Sequence, residues 1–216
     1  MQNFFEWFNN FFTNPTTHTI IMIAMIIFSA LFLGIILRRR EKMGTQQIAE
    51  IGLALALATI LSEIKISGFW AQGGSVTAAS LIPIMLIAFR YGGKTGLMVG
   101  VIHGLIQLII GPYVVHPIQL LLDYPVAFGM VGLCGFFQKN KILGITVGLL
   151  GRFLMHFISG IIYFAQYAPE GWNPFYYTFI YNISYILPEI IISIVVFKLA
   201  GERIIEILQT ESVRKW

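Results

Sequence analysis

The sequence predicts an all-α integral membrane protein, and three observations carry that prediction. Of the 216 residues, 57% are apolar and only 11% charged, with a mean hydropathy of +0.79. A soluble domain has roughly a quarter of its residues charged, so this chain cannot cover a surface facing water. The apolar runs are long and unbroken instead of alternating, which excludes a membrane β-barrel; a bilayer then admits only helices. Basic residues, finally, gather in every second connection between the runs, as they do where loops flank membrane spans.

Taken in order, residues 1–17 (MQNFFEWFNNFFTNPTT) are aromatic and amphipathic and end in a Pro/Thr turn. They read as an interfacial segment lying on the membrane. At about 20 residues per crossing, the remainder divides into seven spans. The first runs over 18–37 and stops at Arg38-Arg39-Arg40-Glu41-Lys42, so 18–45 reads as a helix with a basic linker. The second covers 47–66 and is followed by the polar, Gly-rich loop SGFWAQGGSVTAAS. A short third span, 80–91, ends in RYGGKTG; the fourth, 96–110, ends at Gly111-Pro112. The fifth covers 117–137, the sixth 142–165 and the seventh 175–199. An amphipathic, charged tail, GERIIEILQTESVRKW, closes the chain, with residues 206–216 as its cytoplasmic end. The single cysteine, Cys134, excludes an internal disulfide, and no basic stretch precedes the first apolar run as it would in a cleavable leader.

The connections after spans one, three, five and seven hold every Lys and Arg except Lys65 and Arg152. The positive-inside rule then places the N-terminus outside and the C-terminus in the cytoplasm. The net charge of +4 is thus a topology signal, and nucleic acid is not an expected partner.

With topology set, polar residues sort by depth. Asp123 and Tyr124 sit in the apolar stretch GPYVVHPIQLLLDYPVAFG, near the outer end of the fifth span. His156 falls in the outer half of the sixth, and Tyr177 and Asn182 open the seventh. Tyr113, Trp70, Tyr167 and Trp172 occupy the outer loops. A carboxylate at membrane depth is costly and marks function. Together with an imidazole, an amide and several rings, it suits a planar, cationic, hydrogen-bonding ligand. The loop rings Trp70, Tyr167 and Trp172 serve equally well as an interfacial belt, and His156 alone is as compatible with a helix–helix hydrogen bond. His103 and Gln107 share one side of the fourth span and read as interhelical hydrogen bonds; Arg152 reads as a snorkelling side chain. Glu189, after Pro188, reads as a hinge or a partner contact, and His116 has no evident partner.

Small residues recur at four-residue spacing: Gly96, Gly100 and Gly104 on the fourth span, Gly52/Ala56 and Ala54/Ala58 on the second. Such stripes let helices approach closely. Packing inside the bundle accounts for them, and the second span is the place where docking of another membrane protein fits best. No HExxH, nucleophile elbow or phosphate-binding Gly-rich loop occurs, so an intramembrane hydrolase is the remote alternative and the chain has no means of using ATP itself. No polar stripe runs the full depth of a span, as a channel requires.

Three blocks in this order and spacing, GGSVTAASLIPIMLIAFRYGGKTG, LLLDYPVAFG and HFISGIIYFAQYAPEGWNPFYYTFIYN, resemble the thiamine-specific S component of energy-coupling factor (ECF) transporters. The resemblance covers residues 46–205 and implies a six-helix substrate-capture bundle with one additional N-terminal transmembrane helix. It implies thiamine taken from outside the plasma membrane and no cofactor or metal. It also implies docking on a membrane coupling subunit shared with two ATPases, and a toppling motion that releases the vitamin inside. Matched residue by residue, it gives Asp123, Tyr124, His156, Tyr177, Asn182, Tyr113 and Phe164 as substrate contacts, with Trp70 and Trp172 as further rings. Gly52 and Ala56, or Ala54 and Ala58, match the docking residues. The family usually carries Glu where Asp123 stands and Trp where Phe164 stands, which leaves a thiamine precursor or another vitamin as the alternative ligand.

Overall fold

The computed structural model describes residues 43–67, 74–111 and 113–213, with scattered helical positions between Thr16 and Gly34. The expected interfacial segment 1–17, most of the first span, the basic linker Arg38–Lys42 and Trp70 lie outside the described residues, as do the side chains from Leu208 onward.

Helix α1, Thr45–Glu63, leads into a two-stranded antiparallel hairpin, β1 Lys65–Ser67 and β2 Val76–Thr77, in which Lys65 pairs with Thr77. Helix α2 is Ile82–Tyr91, α3 is Gly93–Ile110, and α4 runs over Pro117–Phe136 with changes of helical pitch along its length. Helix α5 is Lys141–Tyr163 and α6 is Pro174–Val196. A π-turn, Phe197–Gly201, joins α6 without a break to α7, Glu202–Val213. The last apolar span and the amphipathic tail are therefore one continuous rod. Five of these helices are long and apolar enough to cross a membrane, and α2 is apolar but short.

Local sequence accounts for the helix starts. Asn140 accepts the Leu143 N–H at 3.0 Å to cap α5, and Asn173 accepts the Phe175 N–H at 2.8 Å to cap α6, with Pro174 in the first turn. His116 caps α4 through Nδ1, ahead of Pro117, and its ring stacks on Tyr163 at 4.9 Å. The partner that the sequence does not reveal for His116 is thus an aromatic face on α5.

The short third span expected at 80–91 is α2, and what departs from expectation is the loop before it. At 10 residues, α2 covers only about 15 Å, half a bilayer. It is preceded by the irregular segment Gly74–Leu81, in which Val76, Thr77, Ser80 and Leu81 are buried. Ala79 there has φ +57°. The second half of the expected polar loop is in fact inside the bundle. Non-helical backbone is tolerated at such depth only where protein or a cavity surrounds it.

The bundle is tightest where α3 meets α4. A Cβ on Gly100 would collide with the Phe128 carbonyl, one on Gly104 would lie 2.5 Å from the Tyr124 carbonyl, and one on Gly96 would strike Ala88. The stripe on α3 is therefore a packing seam. On α1 the two registers separate. Ala54 and Ala58 are buried in the core, Ala58 completely, which corrects the expectation that they are available for docking. Gly52 and Ala56 are exposed, beside the exposed apolar residues Leu53, Leu57 and Ile60. At the other end of α2, Glu50 forms an ion pair with Arg90, accepting from Nη2 at 3.0 Å, and accepts from the Tyr91 hydroxyl at 2.8 Å, tying α1 to α2. Gly100→Val is expected to cost about 1–3 kcal/mol through overpacking, whereas Gly52→Val, with nothing within 4 Å of the added carbon, leaves stability unchanged. Thermal melts of the detergent-purified variants test both.

Candidate functional site

The segment carrying Asp123 is not a regular helix. Leu122–Val126 forms a π-turn around Pro125, whose ring nitrogen cannot donate to the helical ladder and whose ring crowds the preceding turn. Single π-turns inside α-helices frequently mark functional positions. Here the wider turn sets Asp123 and Tyr124 together on the wall of a cavity of about 310 Å³. That is large enough for a small molecule.

Asp123 is held from two sides. Oδ1 lies 3.2 Å from His156 Nδ1 on α5, and Oδ2 accepts from Gln119 Nε2 at 2.7 Å. Gln119 is buried; it also donates to the Tyr113 carbonyl at 3.0 Å and accepts the Val115 N–H at 3.0 Å. One amide thus fastens the 113–115 loop to the carboxylate. Tyr124 adds a second tie, its hydroxyl accepting the Tyr113 N–H at 2.7 Å. Tyr113 in turn donates to the Tyr167 hydroxyl at 3.3 Å, a bond that raises its pKa. The Phe164 ring sits 6.0 Å from both the Tyr113 and Tyr167 rings, completing an aromatic mouth.

Helix α6 supplies the facing wall. Tyr177, Thr178, Tyr181, Asn182, Tyr185 and Glu189 all line the cavity. Asn182 donates to the Thr178 carbonyl at 2.9 Å and accepts from Tyr185 at 2.6 Å, which orients its amide. The Tyr181 hydroxyl accepts the Gly74 N–H at 2.9 Å, so the irregular segment is laced onto α6.

The inner end is an ion pair. Arg152 Nη1 is 2.7 Å from Glu189 Oε2, with residue exposures of only 9% and 4%. Glu189 Oε1 accepts from Thr77 Oγ1 at 2.7 Å and from the Thr77 N–H at 3.3 Å, and Thr77 Oγ1 meets Ser80 Oγ at 2.7 Å. The guanidinium lies over Phe128, 4.7 Å from the ring centroid. Arg152 is therefore not a snorkelling side chain, and Glu189 lies on the cavity wall.

Of the sequence-predicted residues, Asp123, Tyr124, His156, Tyr177, Asn182, Tyr113 and Phe164 come together on one cavity. Trp172 does not; it is 43% exposed and packs on Tyr176 at 5.5 Å. Trp70 lies outside the described residues. Gln107 makes an interhelical bond, donating to Ser62 at 2.7 Å, but both His103 nitrogens lack a partner among the described residues, and the ring sits edge-on to Phe128. Sequence reasoning missed Gln119, Thr178, Tyr181, Tyr185, Arg152 and Glu189 as cavity residues. For the last two the signal was present: charges at membrane depth, the same criterion that selected Asp123.

The fold and this chamber define a class: a multi-pass helical membrane protein with a polar, ring-lined cavity of small-molecule size between its spans. The family described as thiamine transporter protein (Thia_YuaJ) matches residues 48–208. The chain belongs to that family, as its motifs led one to expect. It is 38% identical over 170 residues to the thiamine transporter ThiT of Bacillus subtilis (strain 168), covering 69% of this chain and 87% of the relative. It is 35% identical over 136 residues to ThiT of Lacticaseibacillus paracasei (strain ATCC 334), covering 54% and 68%. A solved structure of ThiT from Listeria monocytogenes superposes with a TM-score of 0.59 over 72% of this chain and 95% of that one. At 22% identity that likeness establishes the fold.

Gln119→Leu removes the donor to both the Tyr113 carbonyl and Asp123. With each buried unsatisfied group costing about 1–3 kcal/mol, a lowered melting temperature is expected. Faster hydrogen exchange at residues 113–115, read by mass spectrometry, is the accompanying local signature.

Proposed function

We propose that this protein captures thiamine in the cavity between α4, α5 and α6 and delivers it as the substrate-binding subunit of an ATPase-driven importer. The observation that carries the reading is the Asp123 carboxylate on the wall of a ring-lined cavity in which the deeper carboxylate, Glu189, is already matched by Arg152. Glu63 and Lys65, which also line the cavity, are exposed and opposite in sign, so the charge left over is the single negative one of Asp123, suited to the single positive charge of a thiazolium. Asp123 supplies the counter-charge, and His156 and Gln119 hold it in place. Tyr113, Phe164 and Tyr177 offer faces for stacking and cation–π attraction. Asn182 and Tyr124 offer hydrogen bonds to a heteroaromatic edge. The names of the relatives, thiamine transporters, favour thiamine over a precursor or another vitamin.

Delivery depends on other subunits, because the sequence contains no ATP-binding loop. The exposed Gly52/Ala56 strip on α1 serves as the face for a membrane coupling subunit linked to two ATPases. Arg90, Lys94, Lys139, Lys141 and Lys198 lie at the bundle end opposite the aromatic mouth. The positive-inside rule sets that end in the cytoplasm, with the mouth, and the N-terminus, outside the plasma membrane. No catalytic role is assigned.

Calorimetric titration of the purified protein without ATP is expected to show thiamine binding, and Asp123→Ala to lose most of it; undiminished affinity in that variant would remove Asp123 from the site. Ala56→Trp is expected to leave binding intact and abolish radiolabelled thiamine uptake in cells. Uptake that survives would place docking on another face.

A further inference from the structure

Resting on that reading of the docking face, we infer that Glu50 is a positioning residue for transport. Its ties to α2 set the rotation of α1 about its own axis, and so decide which of two small-residue stripes the protein offers to a membrane partner. The starting point is a choice that apolar packing leaves open. Apolar side chains stand all round α1: Ile51, Ala54 and Ala58 face the core, while Ile48, Leu53, Leu57 and Ile60 are exposed. Lipid tails are as apolar as Leu, so burying one such face instead of another inside a bilayer gains little. Gly52/Ala56 and Ala54/Ala58 are close in size and chemistry, and they stand about 200° apart around the helix.

Polar contacts settle the choice. At four-residue spacing the two ridges read Glu50-Ala54-Ala58-Ser62 and Ile48-Gly52-Ala56-Ile60. Only the first has a polar group at each end, and the bundle claims both. Ser62 accepts from Gln107 on α3 at 2.7 Å. The Glu50 carboxylate is the fuller node. Its Oε1 accepts from Arg90 Nη2 at 3.0 Å and from Gln46 Nε2 at 2.9 Å, and its Oε2 accepts from the Tyr91 hydroxyl at 2.8 Å. The Arg90 and Glu50 side chains are only 7% and 16% exposed, so their attraction is weakly screened. The outer end of α1 is also held by the hairpin strands and by the Ala78 N–H, which donates to the Ile64 carbonyl at 3.1 Å. At the inner end it is Glu50 that supplies the polar ties to a neighbouring helix. Turning α1 to bury Gly52 would carry Glu50 toward lipid and strip Arg90 of its counter-charge, a costly state at membrane depth. The carboxylate thereby keeps Gly52 and Ala56 outward.

The test reads the rotation and its consequence separately. Ala54→Cys and Ala56→Cys are labelled with a maleimide in detergent-purified full-length protein, with the parent chain, whose Cys134 is buried, as the blank. Position 56 is expected to label about tenfold or more faster than position 54, and Glu50→Ala to narrow that gap to about threefold or less, because an unpaired buried charge drives the helix to a new setting. Glu50→Ala is also expected to cut radiolabelled thiamine uptake in cells about tenfold, while calorimetric titration gives a thiamine affinity within about threefold of wild type. The charge swap Glu50→Arg/Arg90→Glu is expected to restore both the gap and the uptake. A merely stabilising contact would instead lower binding and melting temperature together and leave the labelling gap in place. Where Glu50→Ala is not recovered folded, Glu50→Gln, which removes the charge alone, is measured with the same directions expected. A labelling gap or an uptake unmoved by the variant, while Ala56→Trp still abolishes uptake, overturns the role of Glu50 alone. Uptake that survives Ala56→Trp overturns the docking reading as well.

Discussion

Inside a hydrocarbon layer a polar group has no water to bond with, so leaving one without a partner in the protein is costly. Most of what distinguishes this bundle follows from that constraint. Asp123 is met by His156 and Gln119, Glu189 by Arg152 and Thr77, and the amide of Asn182 by Thr178 and Tyr185. These partners stand on α4, α5, α6 and the irregular segment before α2. The polar network therefore decides which faces of which helices turn inward, and it leaves a chamber where the groups converge. The apolar residues Leu53, Leu57, Leu187 and Ile191 are left facing outward.

Two irregularities make the chamber possible. The π-turn around Pro125 rotates Asp123 and Tyr124 onto the same wall, and the short α2 leaves Gly74–Leu81 to enter the bundle as irregular chain. Both would be faults in a simple helical hairpin. Here the first is braced by Gly104, whose missing side chain lets α3 lie against the Tyr124 carbonyl. The second is anchored by the Gly74–Tyr181 and Thr77–Glu189 bonds. The cavity wall and the ion pair are thereby mechanically joined: the segment that contributes Thr77 to the cavity is the one that holds Glu189 against Arg152.

Much of this was legible in the sequence. Helix positions follow from length and hydropathy, because a bilayer fixes how much apolar chain a crossing needs. Asp123 stood out for its depth alone, and His156, Tyr177 and Asn182 for sharing it. Depth, however, says nothing about which way a residue faces around its helix. Trp172 has the right level and the wrong direction, packing on Tyr176 outside the cavity. Ala54/Ala58 and Gly52/Ala56 have the same spacing on the same helix, and only the packing of α1 shows that the first pair is core and the second exposed. Arg152 and Glu189 lie far apart in the chain, each readable alone as a snorkelling group or a hinge.

The sequence by itself determined the membrane class, the positions of the long apolar helices among the described residues, the charge asymmetry between alternate connections and the set of residues at cavity depth, since these depend on composition and on distance along a helix. Only the tertiary structure decided which of them meet. It turned two isolated charges into a buried pair and drew part of a polar loop into the bundle. It also divided one stripe of small residues into core and surface. The physical reason is that a buried charge is tolerable only with a partner at hydrogen-bond distance, and such partners here come from different helices, whose rotation and approach no single stretch of chain specifies.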